Sequence, residues 1–261
     1  VKEKKSTQRI NANLGFTGEY GLTGGAGVEF DNFRGKGQKL NIGASTGTNF
    51  SVYTTQEPSK YRSLNISFQD PMINDSPYLV GASIFYSFRG SSTNYYFPLD
   101  FTVGGAVASF GRRLEWPDDF FRVMWSTKFM QKEYEGSQSD IDNYIGGLQK
   151  TRGISLSQVL SRDSRNRAEF PTNGSTFILE NTYSGGFLGG NENFQKHMLT
   201  LDWFTPTFSK FVLYNSVKLG VIKTIDVGDD VQSFVPFDER FIMGGNGIPY
   251  GNALRGYPDN A

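Results

Sequence analysis

The stretch that decides the fold runs from Phe211 to Val221 and reads FVLYNSVKLGV. Its odd positions are Phe211, Leu213, Asn215, Val217, Leu219 and Val221; the even ones are Val212, Tyr214, Ser216, Lys218 and Gly220. Side chains of an extended chain alternate between two faces, so this is a strand with one apolar and one polar side. The pattern recurs upstream. Ile10, Ala12, Leu14 and Phe16 alternate with Asn11, Asn13, Gly15 and Thr17; Leu40, Ile42 and Ala44 with Asn41, Gly43 and Ser45. Leu64, Ile66 and Phe68 oppose Ser63, Asn65 and Ser67, and 80–88 repeats the scheme. Further strands fit around 26–30, 99–110, 121–129, 154–160, 177–183 and 199–203. The total is about eleven strands, each of roughly the ~9–11-residue length that a tilted membrane strand needs. No segment carries a helical face, and the expected class is all-β.

The composition also fits a soluble β-sandwich or a lipocalin-like barrel. The polar face separates these. A sandwich exposes charged or long polar residues outward, whereas here Gly, Ser, Thr and Asn dominate, as suits a curved wall around a wet lumen. Aromatic residues gather at strand ends, Phe30 with Phe33 and Trp203 with Phe204 among them, like interfacial girdles. Short turns at 34–37, 74–77, 115–119, 171–174 and 205–209 alternate with longer polar loops at 46–61, 89–97, 136–153, 184–193 and from 224 onward. That alternation is the habit of an outer-membrane barrel, with tight periplasmic turns and long outer loops. The expected architecture is a transmembrane antiparallel β-barrel whose chain enters from the periplasm. About eleven strands leave bilayer-exposed edges, which are not tolerated, so the sequence is expected to be a piece of a larger barrel.

Composition removes other classes. With 26 basic and 26 acidic side chains the net charge is zero, which gives no nucleic-acid footprint. There is no Cys, hence no disulfide frame or thiolate metal site. No apolar run reaches the ~18 residues of a membrane helix, and residues 1–9 are polar and basic rather than a signal peptide. The sole His197 stands beside Lys196, and no Gly-x-Ser-x-Gly elbow occurs. A nucleophile needs a base within reach, so no enzyme is expected and His197 reads as an interfacial or lumen side chain. The acid pairs Asp118/Asp119, Asp140/Asp142 and Asp229/Asp230 read as solvated, without a Ca²⁺ loop. No metal and no cofactor are expected.

Three stretches carry a family resemblance. Gly244-Gly245 followed by Leu254-Arg255-Gly256-Tyr257 looks like a "GG…(V/L)RG(F/Y)" loop element. Asp163-Ser164-Arg165, then Phe170-Pro171-Thr172-Asn173-Gly174, looks like a "D.R…FPT.G" turn. The opening Val1-Lys2-Glu3-Lys4-Lys5 and the segment from Phe30 to Gly37 look like a domain junction and a first turn. In this order they resemble the BamA-type assembly proteins, the superfamily of POTRA-plus-barrel insertases and transporters.

The resemblance implies residues 1–9 as the junction after the last periplasmic POTRA domain. It implies 10–261 as the N-terminal part of a barrel of about sixteen strands, ending in a loop folded into the lumen. Function would be folding and insertion of nascent outer-membrane β-barrel proteins at a lateral seam, by strand addition to an unpaired edge. The gate strand would comprise Arg9, Ile10, Asn11, Ala12, Asn13, Leu14, Gly15 and Phe16. Gly244, Gly245, Leu254, Arg255, Gly256 and Tyr257 would form the lumen-loop motif, with Arg255 needing carboxylate partners because an unpaired desolvated charge is costly. Asp163, Arg165, Phe170, Pro171, Thr172 and Gly174 would form the periplasmic turn, with Asn173-Gly174 read as a type I′ hairpin. Implied partners are outer-membrane lipid, nascent barrels, accessory lipoproteins and periplasmic chaperones, without nucleic acid. The alternatives are a related barrel that secretes one protein substrate and a passive porin.

Overall fold

A computed structural model describes residues 8–17, 21–48, 60–91, 98–228, 235–236 and 239–241. The strands are β1 (Gln8–Thr17), β2 (Gly21–Phe33), β3 (Gln38–Thr48), β4 (Lys60–Asp70), β5 (Tyr78–Arg89), β6 (Asp100–Arg113), β7 (Phe121–Glu135), β8 (Lys150–Asp163), β9 (Gly174–Ser184), β10 (Phe194–Pro206) and β11 (Val212–Thr224). They form one sheet in chain order, with β1 and β11 at its edges. Every neighbouring pair is antiparallel, as direct connections between adjacent strands require. The strands are longer than their alternating cores, because flanking residues such as Gly21 to Gly25 and Lys150 to Gly153 extend the ladders.

Register keeps both faces continuous. Ile10 opposes Val28, and the row runs on through Ile42, Ile66, Ile84, Ala106 and Phe129 to Ile154. On the other side Arg9 opposes Glu29, then Asn41, Ser67, Ser83, Val107, Lys128, Ser155 and Ser184. Among the described residues the apolar face has no layer packed on it: Ile10 is 80% exposed and Ile84 56%. An apolar face of this extent is a lipid surface. Its aromatic belt includes Tyr78, Phe110 and Trp125, stacked at 5.5 and 6.1 Å between centroids, with the Arg112 guanidinium 5.5 Å over Tyr78.

The only buried apolar cluster among the described residues lies on the polar side, at the outer mouth. Phe101 and Tyr134 face each other across β6 and β7, and Leu99, Ile141 and Ile145 close over them. The two isoleucines belong to α1 (Gln138–Ile145), a helix inside the segment expected to be a polar loop. Ser137 caps it by accepting from the Asp140 amide at 3.2 Å, and Gly146 ends it at φ 63°. The expectation of no helix therefore fails here. Two apolar residues at i and i+4 are one turn of signal, too short to show as periodicity.

The turn after β8 also differs from expectation. Positive φ falls on Phe170 and Gly174, not on Asn173, so Asn173-Gly174 is not a type I′ pair. The connection is a wider loop, closed by Asn166 donating its backbone N–H to Asn173 O at 3.1 Å. Asn166 Oδ1 accepts from the Thr172 and Asn173 amides. Gly174, at φ 102°, passes so close to the Ser164 carbonyl that a Cβ would collide with it.

Candidate functional site

β1 holds the expected gate residues. Ile10, Ala12 and Leu14 face lipid, and Arg9, Asn11, Asn13 and Gly15 face the lumen; the Phe16 side chain lies outside the described residues. Opposite them β2 supplies Gly24, Gly25 and Gly27. Little side-chain packing therefore joins the two strands, and the pairing rests on the backbone ladder. The Asn13 carboxamide folds over Gly25, where a Cβ would come within 2.6 Å of its Oδ1. Asn11, Asn13, Gly25, Gly27, Asn41 and Ser63 line a hollow of about 380 Å³. At the strand start Arg9 Nη2 meets Asp31 at 2.8 Å and Glu29 at 3.4 Å.

The periplasmic-turn residues come together as a folded turn. Arg165 grips Asp163 with a fork, Nε to Oδ1 at 2.9 Å and Nη2 to Oδ2 at 2.7 Å. The hydrogen bond to Asp163 and its charge, against slight burial, hold the Arg165 guanidinium above its ordinary value. Thr172 Oγ1 accepts from Asn166 at 2.7 Å, Pro171 is half-buried, and Phe170 is 88% exposed at the tip.

Gly244, Gly245, Leu254, Arg255, Gly256 and Tyr257 lie outside the described residues, as do Asp229 and Asp230. The segment just before that motif is described at 239–241 and sits on the lumen face. Glu239 reaches Lys128 of β7 at 3.6 Å and Lys196 of β10 at 3.1 Å. A second loop carboxylate enters at the outer mouth: Glu192 meets Lys132 of β7 at 3.1 Å, both side chains fully buried. Thr151 donates to the same carboxylate at 2.7 Å. Sequence reading missed these six residues. Lys128 stands at a polar-face position of its expected strand, which was legible, whereas Lys132 and Lys196 lie beyond the expected strand ends; which loop glutamate each would meet depends on tertiary structure.

His197 points to the lipid side, its Nδ1 2.8 Å from Asn181 Oδ1, in a row with Gln158. Asp118 accepts from Arg162 Nε at 2.8 Å and from the Phe120 amide at 3.0 Å. Desolvation pushes this carboxyl up, but those two bonds and the Arg162 charge outweigh it, so Asp118 titrates below the usual carboxylate range. Asp140 caps α1, and Asp142 accepts from Gln138 at 2.9 Å. Among the described residues no three His, Cys, Asp or Glu side chains converge as metal ligands.

A meandering sheet with a lipid face, a polar lumen face and loops returning to that lumen is shared with known proteins. The Omp85 superfamily domain matches residues 32–261. The chain belongs to the Omp85 superfamily. As a member it is a β-barrel protein of the bacterial outer membrane. It is 27% identical, over 98% of its length, to the outer membrane protein assembly factor BamA of Nitratidesulfovibrio vulgaris, and spans 29% of that relative. Its fold is similar to the crystal structure of BamA from Haemophilus ducreyi lacking POTRA domains 1–3, with a TM-score of 0.75 and 19% identity. That match covers 99% of this chain and 47% of the other.

Proposed function

We propose that the protein folds and inserts nascent β-barrel proteins into the outer membrane, using β1 as the edge on which a client strand pairs. The observation that carries this is the weak attachment of β1. Its neighbour presents glycines at positions 24, 25 and 27, and Ile10 and Leu14 are 80% and 79% exposed. In this reading the edge of β1 away from β2 is the one that offers backbone N–H and C=O groups to a client strand. A strand held chiefly by its ladder can tilt or exchange partners at little packing cost. The named relative in Nitratidesulfovibrio supports this over secretion of a single substrate. The packing of α1 and Glu192 against the lumen side of β6 and β7 supports it over a passive porin.

The partners in this reading are nascent barrels and lipid at the seam, with accessory lipoproteins and chaperones reached through periplasmic domains. A photo-crosslinking residue placed at Asn11 or Ala12 of the full-length parent, with Leu64 of β4 as control, tests it. A stalled client is expected to crosslink at β1 and not at Leu64. Absence of β1 crosslinks, with clients still folded after depletion of the protein, would remove the assembly reading in favour of a transporter.

A further inference from the structure

We infer that Glu239 is the positioning residue of the loop after β11, seated by Lys128 and Lys196 and locked by Phe241 over Gly220. The two lysines stand on the same lumen face three strands apart, on β7 and β10. One carboxylate joins them, Oε1 to Lys128 Nζ at 3.6 Å and Oε2 to Lys196 Nζ at 3.1 Å. Lys196 also donates to the Glu239 backbone carbonyl at 2.9 Å, so it fixes main chain and side chain together. The Lys196 ammonium lies 5.3 Å from the Phe241 ring centroid, a distance at which the ring quadrupole attracts a cation.

The fourth contact is steric. The Phe241 ring occupies the space a side chain at position 220 would need, since a Cβ built on Gly220 comes within 2.5 Å of Phe241 Cζ. Gly220 is thus a seat cut for the ring on the β11 wall. Inside the loop, Glu239 N donates to Pro236 O at 3.1 Å and Arg240 Nε to Val235 O at 3.1 Å, which shapes the turn that presents the carboxylate. Charge and shape therefore converge on one docked position spanning β7 to β11. A carboxylate that compensates two half-desolvated ammonium groups is costly to remove, because both lose their counter-charge.

This assignment concerns the lumen and stands apart from the client reading. The test uses limited trypsin proteolysis of the full-length parent in lipid vesicles, with Glu239→Gln and Gly220→Ala each checked for insertion by heat-modifiability. Removing the carboxylate is expected to speed cutting after Arg240 about tenfold. Gly220→Ala, which leaves every charge in place, is expected to speed it less, because the Phe241 ring has only to shift from the added Cβ. Parent-like cutting after Arg240 in the correctly inserted Glu239→Gln protein would overturn the assignment. Client folding is scored separately, so failure of the assembly reading would leave this result interpretable.

Discussion

The sheet has two unlike halves. From β1 to β4 the lumen face around the hollow is glycine, serine and asparagine, and among the described residues no side chain there belongs to the buried core. From β6 to β10 the same face carries Phe101, Met130, Lys132 and Tyr134, covered by α1 and by the segment ending in Glu192 and Asn193. Both halves have the same ladder and the same lipid face. They differ in what stands on the inside. A ladder alone gives strands that can part, whereas a ladder with side chains and loops locked across it gives a wall. The proposed function would use both, a yielding edge and a fixed body against which it yields.

The largest expected difference lies at the buried ion pair. Glu192→Ala removes the carboxylate that meets the buried Lys132 ammonium at 3.1 Å, and breaking such a pair costs about 3–5 kcal/mol. Urea unfolding of the protein in detergent should show that loss. Lys132→Met combined with Glu192→Leu should recover most of it, since the desolvation cost disappears with the charges. If Glu192→Ala were silent, the second half would not be buttressed as described. Next comes Ile145→Ala, expected to cost about 2–4 kcal/mol. Its effect should stay at the outer mouth, seen as protease cutting within 136–149 while the strands hold.

Much of this contrast was legible beforehand, and the reasons are local. Period-two alternation such as Asn11, Asn13 and Gly15 against Ile10, Ala12 and Leu14 is fixed by strand geometry, so strands and faces could be read directly. The cap Ser137 and the stop Gly146 were also written in the sequence. With only Ile141 and Ile145 between them, the helix had too little periodicity to stand out. The reading of Asn173-Gly174 as a tight turn failed because Asn166 organises a wider loop from outside the dipeptide. The loop carboxylates Glu192 and Glu239 were beyond reach, because nothing local distinguishes them from solvated acids.

Smaller effects sharpen the comparison from the other side. Arg9→Ala removes an ion pair in which the arginine side chain is 61% exposed, and such pairs contribute little. Thermal stability should barely move, yet β1 should fray from its start, visible as faster amide exchange at Gln8 to Ala12. The smallest effect is in pH. Asp118 has its carboxyl lowered in the folded state, so its contribution is present above the unfolded value and lost as pH falls through the folded one. Asp118→Asn should flatten that acid limb slightly in a pH series of melting temperatures.

In the proposed function β1 yields and is completed by a client while the β7 to β10 wall stays fixed. Hydrogen–deuterium exchange on the full-length protein in lipid nanodiscs, with and without a stalled client, measures this directly. The account expects fast exchange of β1 amides in the free protein, marked protection when the client is bound, and slow, unchanged exchange in β7 to β10. Equally slow exchange in β1 and β7, or no protection of β1 by the client, would contradict it.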